Sequence, residues 1–121
     1  MRRTMIDLLA IRDEVNRKSD AEIAESNARW RALYGDLDPF AVAPFIEYVG
    51  APLSDEGRRY ASLVDRARHG RLPIARDIRF ELVHFLTAAA EGHRYDKALH
   101  RQNLIVLLNR YERRIRKHRD A

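Results

Sequence analysis

From Ile74 to Glu91 the chain reads IARDIRFELVHFLTAAAE, a stretch whose apolar residues cover nearly the whole circumference of a helix. Ile74, Ile78, Leu82, Phe85, Leu86 and Ala89 recur at spacings of three and four, and Phe80, Val83, Ala88 and Ala90 fill a second face. A surface helix shows one apolar stripe, so a helix that is apolar on most sides is expected to have neighbours on most sides. The spacing therefore predicts a central post over 74–91, with its wetter end at Arg76, Asp77, Arg79 and Glu81.

The rest of the chain supplies the neighbours. Leu53-Ser54-Asp55-Glu56 opens a helix capped by Ser54, with Tyr60, Leu63, Val64 and Ala67 as its inner stripe and Gly70 as its end. Gly70 to Pro73 is a tight connection, which makes this helix and the central one neighbours in space. Gly92 ends the central helix, and a last helix is expected from about Tyr95 to Lys117. On it Tyr95, Leu99, Gln102 and Val106 share one meridian, and Leu104, Leu108, Tyr111 and Ile115 share nearly the opposite one. Two faces in succession predict that the first half packs on the protein's own domain. The second face, Leu104, Leu108, Tyr111 and Ile115, is expected to meet the N-terminal helix, a second copy of the chain or another protein subunit.

The N-terminal third is less regular. Thr4 caps a segment bearing Met5, Leu8, Leu9 and Val15, and Ser19 to Glu22 reads as a capping box for a second one carrying Ile23, Trp30, Leu33 and Tyr34 inward, stopped at Gly35. Met5, Leu9, Ile23, Trp30 and Tyr34 also stay near one meridian of a continuous helix, with Asn16, Ser19 and Asn27 in its seam, so residues 4–34 fit one helix or two. Between Asp36 and Pro52 three prolines punctuate an apolar segment. A turn is expected at Asp38 to Phe40 and a short helix from Pro44 to Val49, with Phe40, Phe45, Ile46 and Val49 plugging one end of the bundle. The alternative is an exposed aromatic patch for a protein partner. Strict alternation of apolar and polar residues is rare and no strand pattern competes. The fold class expected is all-α, an irregular bundle of four to six helices around 74–91, in one domain spanning 1–121.

Charge narrows the function. Residues 1–56 carry seven Lys/Arg against eleven Asp/Glu, and residues 57–121 carry sixteen against seven. Such asymmetry points to an anionic partner for the basic half, most often nucleic acid. No cysteine is present, which excludes thiol catalysis and thiolate metal sites. The longest uninterrupted apolar run, Leu104 to Leu108, is far short of the roughly twenty residues of a membrane span. The N-terminal stretch, broken by Asp7 and closed by Asp13 and Glu14, does not read as a signal peptide. A soluble, cytoplasmic protein without membrane contact is expected.

Catalytic motifs are mostly missing, with no glycine-rich phosphate loop, nucleophile elbow or zinc-protease helix. Arg79 with His84, Arg94 with His100 and Arg113 with His118 resemble the Arg-to-His spacing of HEPN-type ribonucleases, with Arg79 and His84 best placed. Chance supplies about two and a half such matches in a chain this rich in arginine. His93, Asp96 and His100 could share a helix face, but Gly92 makes His93 a loop residue and no second cluster completes a shell. No catalytic residue, metal or cofactor is therefore expected. A helix-turn-helix over residues 54–91 is the less favoured reading, because a recognition helix must expose a reading face and this second helix is apolar almost all round.

What remains is a basic surface. Arg110, Arg113, Arg114 and Lys117 fall at i, i+3, i+4 and i+7 on the side opposite Leu104, Leu108 and Ile115, forming a cationic rail that Asn103 extends. One or two such cations suit a helix C-terminus through its dipole, but six lie between Arg110 and Arg119. Arg58, Arg59 and Arg66 give the preceding capped helix a second basic face, partly offset by Asp55 at i, i+4 to Arg59 and by Asp65. The reading this favours is a non-catalytic protein that binds the nucleic-acid backbone, RNA or DNA, as a subunit of a nucleoprotein assembly. In size, helicity and basic character the chain is similar to the helical small subunits of RNA-guided defence complexes, without a shared motif. The alternatives are a protein-binding helical module or inhibitor and, third, a HEPN-like ribonuclease.

Overall fold

The computed structural model describes residues 20–46 and 52–118. Its helices are α1 (Asp20–Tyr34), α2 (Pro39–Val42), α3 (Asp55–Ala67), α4 (Pro73–Glu91) and α5 (Arg94–His118), with a 3-10 turn at Ala43–Phe45 following α2. No strand occurs among the described residues, and the fold is an all-α bundle. Thr4, Met5, Leu8, Leu9, Val15, Asn16 and Ser19 lie outside the described residues, as does the choice between one N-terminal helix and two. Val49 lies outside them as well.

Helix boundaries follow local chemistry. Pro73 opens α4 at a position where a missing N–H costs nothing. At the other end Gly92 adopts φ 73°, and the backbone N–H groups of Gly92 and His93 donate to Ala89 and Ala88 carbonyls at 3.3 and 2.9 Å, a Schellman closure. Ser54 caps α3 by accepting from Gly57 N at 3.1 Å. Asp38 accepts from Phe40 N at 2.8 Å and so caps α2, where a turn was expected. With Pro39 supplying the first helical residue, the helix expected from Pro44 begins five residues earlier, and Pro44 falls in the 3-10 turn instead.

α4 and α5 form an antiparallel hairpin, and α3 packs across both. The core collects Ile74, Ile78, Leu82 and Phe85 from α4 with Tyr60, Leu63, Val64 and Ala67 from α3. Leu104, Leu108 and Tyr111 of α5 are wholly buried in it. Burying a Leu or Ile fully contributes about 1.5–3 kcal/mol, so these residues hold the hairpin to α3. Phe45 stacks on Tyr60 at 5.6 Å between centroids and closes one end, as a plug rather than an exposed patch. Arg101 donates to the Pro44 carbonyl at 3.0 Å and Arg68 pairs with Asp38 at 3.1 Å, fastening the α2 segment to the hairpin and to α3. Trp30 packs on Tyr34 at 4.4 Å and donates to the Leu37 carbonyl at 2.9 Å, whereas Leu33, expected inward, stays exposed.

Two expectations about faces need correction. The central helix is not enclosed on all sides: Phe80 and Val83 are 63% and 60% exposed. Among the described residues α3 and α5 flank α4, with the 3-10 turn touching it, and such neighbours leave one side of the helix open. On α5 the faces are used in the opposite sense to that expected. Leu104, Leu108 and Tyr111 are sealed within the chain's own core with Ile115 half-buried beside them, so self-association through that face has no open surface to use. Tyr95, Leu99 and Val106, expected to be packed inward, are 79%, 44% and 46% exposed.

Candidate nucleic-acid interface

α5 lies in the groove between α3 and α4, and its outer face is fixed by which side is buried. With Leu104, Leu108 and Tyr111 inward, a rotation of about 100° per residue turns Arg110, Arg113 and Lys117 to the outside, with Arg114 at the edge of the same face. All four are exposed, and none makes a hydrogen bond or ion pair with a described residue. The acid of this half of the helix, Glu112, is half-buried and already engaged: it accepts from Arg59 at 2.8 Å and lies 3.7 Å from Arg116. Among the described residues no carboxylate is paired with the rail.

The α3 arginines behave differently. Arg59 donates to Glu112 and to Asn109, at 2.8 and 3.5 Å, while its guanidinium lies 4.5 Å from the centre of the Tyr60 ring. The Glu112 hydrogen bond holds its pKa above the ordinary arginine value, and its role is to join α3 to α5. Arg58 lies 3.8 Å from Asp55, so the acid expected to offset Arg59 offsets Arg58 instead, and Arg59 finds Glu56 at 3.9 Å. Arg66 is exposed. Asn109 lies one turn before Arg113 at the edge of the rail, whereas Glu112, about 100° further round α5, draws Arg59 into the α3–α5 seam, so the α3 arginines flank the rail and do not continue it. Asn103, expected to lengthen the rail, turns its amide toward Glu81 at 3.5 Å.

Much of the remaining basic charge is structural. Arg79 donates to the Ala67 and Gly70 carbonyls at 2.8 and 3.0 Å, satisfying the C-terminal end of α3. His84 lies on another side of α4, edge-on to Phe80 at 4.3 Å and parallel to His100 at 5.0 Å. Arg79 and His84 are not brought together. His100 Nδ1 lies 2.6 Å from a Glu81 carboxylate oxygen, while His93 is near Glu91 and Asp96 at 3.4 and 3.7 Å. Of the three positions weighed as ligands, His93 and Asp96 face each other while His100 turns to Glu81, and no group of three or more candidate ligands gathers among the described residues. An open concavity between the end of α1 and the start of α2 is lined by Ser26, Asn27, Trp30, Arg31, Asp36 and Asp38. No helix among the described residues is long and apolar enough to cross a membrane.

Sequence reasoning missed the exposed apolar surface beside the rail. Its members were visible as the second face of 74–91 and the Tyr95 meridian, but the assumption that apolar means buried assigned them to the core. No family model matches this chain, and no curated protein or solved structure matches it either.

Proposed function

We propose that this protein binds the phosphate backbone of nucleic acid without catalysis, as a small helical component of a nucleoprotein assembly in the cytoplasm. The observation that carries the reading is the state of the rail: four exposed cations on one stiff helix, with the neighbouring carboxylate of Glu112 already paired to Arg59 and Arg116. Backbone binding requires cations held in register with phosphates and releases condensed counterions as it forms. A rail of this kind carries no base readout, so affinity should be nearly independent of sequence.

The test is a binding isotherm repeated across salt concentrations. If all four cations engage duplex phosphates, log affinity falls against log salt with a slope of about 3.6, or about 2.8 on a single strand. Replacing Arg110, Arg113, Arg114 and Lys117 together by Gln should flatten that slope almost completely. The melting temperature should hardly move, because exposed unpaired charges contribute little to stability. Arg29→Gln with Arg31→Gln, on exposed positions of α1, is the control for loss of net charge. Equal loss per charge from the control would mean a diffuse field in place of a site, and no binding by the wild type at low salt would refute the reading.

A further inference from the structure

The hairpin register places the exposed apolar residues and the rail on one surface. Glu81 reaches His100 and Asn103, so Phe80 and Val83 lie level with the Leu99 to Val106 stretch of α5. The outward stripe of α4 runs Arg76, Phe80, Val83, Thr87, each exposed. That of α5 runs Tyr95, Leu99, Gln102, Val106 and continues, about one turn on, into Arg110, Arg113 and Lys117. A single meridian about 33 Å long thus changes from ring and aliphatic surface to guanidinium and ammonium. Between the helices the rings form a row, with Phe80 against His84 and His84 parallel to His100. The exposed acids of these helices are Asp77, one turn before Glu81 on the α5-facing side of α4, and Glu91 and Asp96 near the hairpin turn.

We infer that this surface takes single-stranded nucleic acid, its phosphates on the rail and its unpaired bases on Phe80, Tyr95 and the aliphatic residues between them. The inference rests on the phosphate-binding reading above and adds the class of strand. A duplex hides its base faces in its own stack and can use only the cations. A single strand presents a π-face at every base, and stacking on an exposed aromatic ring strengthens binding roughly five- to 150-fold per base irrespective of sequence. A second copy of the chain suits the surface less well, because Arg76 and the four rail cations of each copy would then lie along a shared interface with few acids to meet them.

The test uses the full chain with four fluorescent probes of equal length: an oligouridylate, an oligodeoxythymidylate, an abasic sugar-phosphate strand and a mixed-sequence duplex. Both ordinary strands should bind at least tenfold more tightly than the abasic strand at matched salt. Phe80→Ala combined with Tyr95→Ala should lower strand affinity by tenfold or more while leaving duplex and abasic affinity within about twofold. Phe80→Leu, which keeps the apolar surface and removes the ring, should reproduce part of the loss, so the result does not hinge on one variant folding. Equal affinity for all four probes, unchanged in the variants, would overturn the inference and leave phosphate binding standing. No binding to any probe would overturn both. A dimer in sedimentation that the double variant disperses, with strand affinity unaltered, would assign the face to a second copy and overturn the inference.

Discussion

Replacing Tyr111 by Phe should stabilise this protein, although it removes an atom from the centre of the core. The Tyr111 side chain is wholly buried and its hydroxyl finds no hydrogen-bond partner among the described residues. A hydroxyl taken out of water and left unpaired costs about 1–3 kcal/mol. Phe recovers that cost and leaves a void of about 10 Å³, worth roughly 0.3 kcal/mol at the usual cost per unit of cavity volume. The net expectation is a gain of about 0.7 to 2.7 kcal/mol, a rise of roughly 2 to 10 °C in melting temperature for a domain of this size. The geometry also predicts a coupling. A Cβ on Gly70 would stand 2.6 Å from the Tyr111 hydroxyl oxygen and 2.9 Å from the Ala75 Cβ, so Gly70→Ala should cost about 1–3 kcal/mol through overpacking. In the Tyr111→Phe background the nearer clash is gone and the Ala75 clash remains. The double-mutant cycle by urea denaturation should therefore show Gly70→Ala costing at least about 0.5 kcal/mol less there. A Tyr111→Phe protein that melts at or below the wild-type temperature would show that the hydroxyl is satisfied in solution. Strict additivity would show that Gly70 and Tyr111 do not press on one another.

Leu82→Ala or Phe85→Ala should each destabilise the fold by about 2–5 kcal/mol in chemical denaturation, and near-wild-type stability of both would refute α4 as the central element. Glu112→Gln removes a carboxylate that engages Arg59 and Arg116, so it should tighten nucleic-acid binding several-fold at low salt and steepen the salt slope; unchanged affinity would mean that the α3–α5 seam lies outside the bound strand's reach. Lengthening the exposed meridian offers a complementary check: Gln102→Arg, between Leu99 and Val106, should raise single-strand affinity several-fold without changing the melting temperature by more than about 2 °C.

The all-α class, the central helix and the inner stripe of α3 were legible because helical periodicity and end signals are local physics. Pro73 and Gly92 bound α4 almost where the apolar pattern begins and ends, and Ser54 caps α3 from its own side chain. The rail was legible too, since positions i, i+3, i+4 and i+7 share a face whatever surrounds the helix. Gly35 and Gly92 stop their helices by adopting positive φ, as a sequence reader expects.

What a lone chain could not fix is which of two apolar faces turns inward. Both meridians of α5 are apolar, and only the packing of α3 and α4 against Leu104, Leu108 and Tyr111 left Tyr95, Leu99 and Val106 outside. The same choice exposed Phe80 and Val83 on α4. Long-range pairing was equally hidden: Arg59 and Glu112 are 53 residues apart, Arg101 and Pro44 57, and no local pattern ties either pair. Gly70 gives the sharpest contrast, for it follows a helix as a stop signal would, yet its lack of a side chain is required by Tyr111 and Ala75 crowding it from elsewhere in the fold. Backbone hydrogen bonding and side-chain period act over a few residues and can be read in order. The sorting of apolar faces and cations between core, seam and surface depends on which elements meet, and that was decided only by the tertiary structure.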